Sequence, residues 1–371
     1  MNKLVLMGCG LIAVTLACNK PPPAAPAPAA APAPAAAPAA APAAAPAAAP
    51  KEIDPAVLAM FAQLPADMAA GKDVSAPRVD LGRMLYFEKR LSKNHDVSCN
   101  SCHALDKYGV DNEPTSPGHK KQRGERNSPT VYNAALHMAQ FWDGRAPDVE
   151  AQAKMPVTNP VEMTMPSPDA VVKVLKSIPG YADAFKKAFP ADKDPITFDN
   201  MAAAIGAFER KLVTPGRWDK FLAGDKAALT ADEKAGLSVF LETGCTACHA
   251  GPALGGAMYQ KTGLVKAWPN QADQGRFKVT NQEVDKMMFK VPTLRNVEKT
   301  APYFHDGKTA SLDEAVKLMA EYQLGRVLTD VQVKSISTFL KALTGDLPAA
   351  DFIKEPALPE SGKNTPKPDP T

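Results

Sequence analysis

Two short runs bring reactive side chains together at a diagnostic spacing: "CNSCH", Cys99 to His103, and "CTACH", Cys245 to His249. In each, the two residues between the cysteines form a turn that presents both sulfurs to the vinyl groups along one porphyrin edge. The histidine beside the second cysteine then directs its imidazole at the iron. A zinc site is the competing chemistry, but that histidine is awkward for tetrahedral closure and no second cysteine pair completes either run. A thioredoxin-like dithiol would need a βαβ context, which is absent. Of the six cysteines, Cys9 and Cys18 belong to the N-terminal leader. The other four, Cys99, Cys102, Cys245 and Cys248, are all taken up by two covalently bound haem c groups, and none is spare for a disulfide.

The other face of each iron is less determined. Beyond the two proximal histidines, the chain offers His95, His119, His137 and His305, and after His249 it offers Met258, Met287, Met288 and Met319. His119 lies in "TSPGHKKQRGERN", rich in Gly, Pro and charge, where a solvated loop residue is the ordinary reading. His95 and His137 read as structural, near the haem crevice and on a helix. His305, in the turn-like "TAPYFHDG", suits a structural or haem-edge hydrogen bond. A thioether ligand raises a haem potential, yet methionine is more often a core filler. Spacing alone does not choose among the four methionines.

Helices must deliver the chain to these sites. Ahead of the first motif runs "DLGRMLYFEKRLS", and ahead of the second "DEKAGLSVFLETG". Apolar residues recur at helical spacing in both: Leu81, Leu85 and Tyr86 or Phe87, then Leu237, Phe240 and Leu241. Thr230 followed by Glu233 predicts a capping box at the second helix start. Further amphipathic segments lie near residues 169–175, 198–212, 312–322 and 330–343, and alternating strand patterns are scarce. The expectation is a mainly α fold with two cytochrome c-like domains, each carrying one covalently attached c-type haem.

Length and composition complete the frame. A chain of 371 residues exceeds one typical domain. Residues 1–18 read as a lipoprotein-type signal peptide: Lys3 precedes an uncharged run ending in "VTLAC", too short to span with ordinary flanks. Cys18 would be the lipidated first residue, with simple cleavage as the alternative, and Asn19 resembles outer-membrane sorting. Residues 19–50 are an Ala/Pro-rich linker, a semi-rigid spacer without a core. The predicted domains are 51–216 and 217–347, followed by a flexible tail, 348–371. A net charge of +3 and no basic stripe with interleaved aromatics exclude a nucleic-acid role.

The stretch "LGRMLYFEKRLS…VSCNSCH…SPGH…RNSPTVYNA…AQFWDGRAPDVEAQA…NPVEM", then "GCTACHAGPALGG" and "FKVPTLRNVEKTAPYFHDG…AVKLMAEYQLG", resembles the bacterial dihaem cytochrome c peroxidases, part of the MauG-related superfamily. The likeness runs over about residues 81–345. It implies His103 as proximal ligand of a peroxidatic haem, with His119 as its displaceable distal ligand, and His249 with Met319 on an electron-transferring haem. It implies Gln140 and Glu150 as the distal catalytic pair, and Asn127, Thr300 and Pro302 around one calcium ion, the last two through backbone carbonyls. Tyr132 and Trp142 are candidates for an electron relay.

The implied reaction is reduction of hydrogen peroxide to water with electrons from a small c-type cytochrome or a cupredoxin. It would take place in the periplasm, in a homodimer that meets the membrane only through the Cys18 anchor. The segment carrying His119 would be a lid that leaves on reduction. One alternative is a MauG-like oxidase of a partner protein, in which a tyrosine such as Tyr322 would replace Met319. The other is a non-enzymatic dihaem electron carrier, which would want both irons closed and no carboxylate over either.

Overall fold

The computed structural model describes residues 53–371. The leader, Cys18 and the Ala/Pro linker of residues 19–50 lie outside the described residues. The fold is mainly α, as expected. Among the described residues, the strands are limited to a short antiparallel pair, Tyr259–Lys261 with Met288–Lys290. Among the described residues, no helix is long and apolar enough to cross a membrane.

Two hydrophobic cores organise the chain, and they are built alike. In the first, the Ala76–Phe87 helix buries Leu81, Leu85, Tyr86 and Phe87 against the Phe198–Glu209 helix. The two backbones nearly touch at Gly82, where a Cβ would stand only 1.8 Å from the Ala204 carbonyl oxygen. In the second core, the Ala231–Thr243 helix packs on Asp330–Lys341 through Leu237, Phe240, Ile336 and Phe339. Gly236 plays the same part there, its missing Cβ 2.1 Å from the Ser335 carbonyl oxygen. In both cores the glycine-bearing helix is the one that leads into a CxxCH motif. Close helix packing therefore fixes where each motif emerges. The capping box predicted at Thr230 is present, with Thr230 Oγ1 accepting from Glu233 N–H at 3.2 Å and Glu233 Oε2 from Thr230 N–H at 2.8 Å.

The ends of the chain depart from the expected segmentation. Ile53, Leu58 and Phe61 pack on the second core rather than the first, with the Phe61 ring 5.3 Å from Trp218 in an edge contact. The segment after Leu347, expected as a flexible tail, lies on the first core. Phe352 tilts against Phe208 at 5.3 Å, and Arg90 donates to the Pro359 carbonyl at 2.8 Å and to Ser361 Oγ at 2.9 Å. Apolar Phe352 and Ile353 supply the reason: they cover first-core surface that the preceding helices leave open.

Candidate haem centres

The second motif follows a helix stopped by Gly244, whose φ of 94° is the left-handed cap that glycine adopts without strain. Cys245, Cys248, His249 and Met319 then line one mostly apolar cavity. His249 Nδ1 lies 3.0 Å from the Leu254 carbonyl oxygen. A proton on Nδ1 donated there leaves the Nε2 lone pair for a metal. Met319 opens a π-helical turn, Met319–Gln323, continuing from the Leu312–Leu318 helix. Such turns are rare and concentrate at functional sites. Tyr322 is committed elsewhere: its ring packs edge-on to Trp268 at 5.3 Å, with Lys266 Nζ 4.8 Å over it.

The first motif is a single helical turn, Cys99–Cys102, in which Ser98 N–H donates to Ser101 Oγ at 3.0 Å. Tyr86, fully buried on the preceding helix, donates its hydroxyl to the His103 carbonyl at 2.7 Å. His119 corrects the ordinary reading of its segment. It is buried, 3% exposed, because Gly118 lets the strand lie directly on the Val161–Glu162 backbone. A Cβ on Gly118 would stand 2.0 Å from the Val161 carbonyl oxygen. His119 N–H donates to the Glu162 carbonyl at 2.8 Å, and Gly118 N–H to the Gln122 carbonyl at 2.8 Å. Lys120 and Lys121 that follow are both left-handed, at φ 55° and 59°.

Both centres fit haem c. His103 Nδ1 and both ring nitrogens of His119 are buried without a hydrogen-bond partner. Each such nitrogen costs about 1–3 kcal/mol unless something bound supplies the missing contact. All four cysteines are unpaired. Burial pushes the thiols up, Cys102 to about 11 and Cys245 to about 12. Neutral sulfurs facing apolar walls suit uncharged thioethers better than the thiolates of a zinc site.

The two residues of the expected catalytic pair have different partners. Glu150 forms a bidentate ion pair with Arg210, Nε to Oε1 at 2.8 Å and Nη2 to Oε2 at 2.9 Å. Arg145, near Glu150 in sequence, binds Asp143 instead at 3.0 Å. Gln140 is buried with its Nε2 on the Ala134 carbonyl at 2.9 Å, and it lines the cavity of the second centre.

A further carboxylate, one the sequence did not single out, lies beside the His119 backbone. Glu162 lines a cleft with Phe141, Arg145, Met155 and Pro160. Its Oε1 accepts from Asn159 Nδ2 at 2.8 Å, and its own backbone carbonyl receives His119 N–H. Burial raises its pKa above the usual carboxylate range, partly offset by the Arg145 guanidinium, and its charge in turn helps raise the Cys102 thiol. The available signal was local: an acid within "TNPVEM", where Asn159 Oδ1 accepts from Val161 N–H at 3.0 Å and closes a tight turn.

The remaining candidates divide between the two centres. Tyr132 is fully buried in the first core and donates to the Leu105 carbonyl at 2.8 Å. Trp142 lines the second cavity, its Nε1 donating to the Asn127 carbonyl at 2.9 Å and its ring edge-on to His305 at 6.3 Å. Phe141, next to it in sequence, borders both that cavity and the Glu162 cleft. Asn127, Thr300 and Pro302 line the second cavity together. His305 is buried and stacks on Phe289 at 4.2 Å, which accords with a structural duty.

Comparison with known proteins agrees with this geometry. Residues 76–227 match the di-haem cytochrome c peroxidase family. The cytochrome c551 peroxidase of Pseudomonas aeruginosa is 46% identical over 318 residues, covering 84% of this chain and 90% of that protein. The cytochrome c551 peroxidase of Nitrosomonas europaea is 49% identical over 298 residues, covering 80% and 87%. Among solved structures, a MauG-like protein associated with microbial copper homeostasis superposes with a TM-score of 0.69 at 27% identity, covering 80% of this chain and 96% of that one. Identity of this order along nearly the full length of both peroxidases, on two CxxCH centres of unequal build, leaves one conclusion: the chain belongs to the dihaem cytochrome c peroxidase family.

Proposed function

We propose that the chain is a cytochrome c peroxidase, reducing hydrogen peroxide to water with two electrons delivered singly by a small reduced c-type cytochrome or a cupredoxin. The balance is one peroxide, two electrons and two protons to two waters. One observation carries this reading: a buried histidine with both ring nitrogens unpartnered is hydrogen-bonded, through its own backbone, to the residue bearing a half-buried carboxyl group of raised pKa.

When bound, the two haem c groups supply the irons that accept and pass on single electrons. His103 and His119 would hold one iron, and His249 and Met319 the other. Glu162, rather than Glu150, is the group fitted to move a proton. A carboxyl group raised by burial exchanges its proton nearer neutrality, so Glu162 can take one from the inner peroxide oxygen and return it to the outer. Met155, Pro156 and Pro160 wall its cleft, limiting water around that transfer. Glu150 holds Arg210 in place, which is a structural task.

The His119 segment is built to leave. Departure breaks the two backbone hydrogen bonds from His119 and Gly118, each worth about 1 kcal/mol net. It also releases the left-handed Lys120 and Lys121, conformations that cost roughly 1–3 kcal/mol apiece in non-glycine residues. The same movement frees the Glu162 backbone, so opening and proton transfer share one hinge.

Finer features belong to the same proposal. One calcium ion would take Asn127 Oδ1 with the carbonyls of Thr300 and Pro302, oxygen donors suited to a hard cation. The Asn127 Nδ2 is already used on the Glu113 carbonyl at 3.0 Å, which leaves Oδ1 as the amide's acceptor. Trp142 with Phe141, and Tyr132 on the first-core side, would carry electrons between the centres. The working division stays at two haem domains meeting near residue 216, with the chain's first described residues assigned to the second. We place the protein in the periplasm, tethered through Cys18 and dimeric.

A MauG-like oxidase is disfavoured because Met319 lines the second cavity while Tyr322 is held by Trp268 and Lys266. A non-enzymatic carrier would have no use for a buried acid beside His119. The deciding experiment is peroxide-dependent oxidation of a reduced small c-type cytochrome by the half-reduced holoprotein. Two cytochromes oxidised per peroxide are expected, and no peroxide-dependent oxidation would overturn the proposal.

A further inference from the structure

The cavity of the second centre holds an unanswered charge. Lys290 ends the Met288–Lys290 strand, its backbone N–H fixed to the Trp142 carbonyl at 2.7 Å, and the residue is 6% exposed. Its Nζ lies 2.8 Å from His137 Nδ1. The His137 ring is itself wedged against Gly256, where a Cβ would come within 2.3 Å of it, and its Nε2 is buried without a partner. Among the residues lining this cavity, Lys290 is the one charged side chain, and no aspartate or glutamate joins it. Burial alone pushes Lys290 down to about 7, and burial with the neighbouring ammonium drives His137 well below its usual value. A buried ammonium facing a neutral imidazole is unfavourable unless an anion joins it.

We infer that Lys290, braced by His137, is the receptor for a propionate carboxylate of the second haem. The inference rests on reading Cys245–His249 as a haem site. The cysteines and His249 define one part of the cavity wall, and Lys290 supplies the cation that a haem carboxylate needs in a wall otherwise free of charge. His137 Nδ1 accepts a hydrogen bond from the ammonium, which orients Nζ without adding charge. Lys290 is thus a positioning residue that also tunes the second centre electrostatically, since a fixed cation near a haem favours the reduced iron.

The test is spectroelectrochemical titration of the purified holoprotein, wild type against Lys290→Met and Lys290→Arg, without peroxide. Lys290→Met should lower the midpoint potential of the second haem, with the first unchanged, and Lys290→Arg should restore most of it. Redox-difference infrared spectra of protein made with 13C-propionate haem should show a carboxylate band shifted in Lys290→Met. If potential and band both stay at wild-type values, the inference fails. It fails also if the wild-type potential follows chloride or phosphate concentration at constant ionic strength while the labelled band is unmoved, because a free anion then occupies the site. Should Lys290→Met not retain both haems, Lys290→Gln is read in its place. A chain carrying a single haem would defeat the parent reading instead, and that outcome is visible in the haem stoichiometry.

Discussion

The two CxxCH centres start from the same five-residue pattern and end with opposite mechanical characters. At the second, His249 is oriented by the Leu254 carbonyl and Met319 sits in a helical turn continuous with Leu312–Leu318. Nothing there can move without unwinding a helix. At the first, His103 Nδ1 has no such partner, and the opposing His119 is carried on an irregular segment held by a few backbone hydrogen bonds. The electrostatics are opposed as well. Two acids, the buried Glu209 and the half-buried Glu162, act on Cys99 and Cys102 of the first site, whereas the second cavity is lined by a lysine and no acid. A permanently capped iron needs a stiff ligand and a steady potential. An iron that admits a substrate needs a ligand that can leave and a proton donor beside it.

The largest test of that contrast is Glu162→Gln. Peroxide turnover should fall about 10²–10⁴-fold with both haems still attached, the usual loss for a general acid–base group. Normal turnover in this variant, with collapse in Glu150→Gln, would return the role to Glu150. His119→Gly should next give a five-coordinate, high-spin first haem without pre-reduction, leaving the spectrum of the second unchanged. A low-spin first haem would mean that another group caps it. Met319→Leu should do the converse, lowering the potential of the second haem because the thioether that raises it is gone. Redox titration reads this directly, and an unaltered potential would remove Met319 from the ligand set.

Two smaller effects separate structure from catalysis at the first site. Glu150→Gln should cost about 2–4 kcal/mol of stability by leaving Arg210 buried without its counter-charge, measured by denaturant unfolding, while the turnover of the folded fraction persists. Glu209 is pushed up to about 8 by burial and by Glu150. Its folded pKa thus lies above its unfolded value near 4.5, so the native state holds this proton more tightly. Its contribution to stability is complete below that unfolded value and is lost as pH rises through about 8. Glu209→Gln should flatten this slope and gain roughly 1–3 kcal/mol at pH 9. A slope unchanged by the substitution would assign the pH dependence to another group.

Much of this was legible in the sequence wherever the physics is local. A CxxCH run needs only its own five residues to present two sulfurs and an imidazole, so both centres could be read directly. Helical periodicity around Leu81 and Leu237 and the Thr230–Glu233 capping box also act within a turn or two, and they hold in the structure. Glu150 and Glu162 mark where that legibility ends. The two acids lie twelve residues apart in one stretch, and nothing within it says what each will pair with. Arg210, sixty residues on, pairs with Glu150, while Glu162 stands half-buried against Asn159. The tail after Leu347 was misread for a related reason: its apolar residues are sparse, and their partner surface belongs to distant helices.

By itself, then, the sequence determined the two CxxCH runs, the helices that lead to them and the mainly α character, because each depends on covalent chemistry or on hydrogen bonds spanning a few residues. Tertiary structure decided which acid pairs with Arg210, how deeply His119 is buried, and that Lys290 faces a cavity lined by no acid. Those are matters of burial and long-range pairing, and a charge has no environment until the rest of the chain has packed around it.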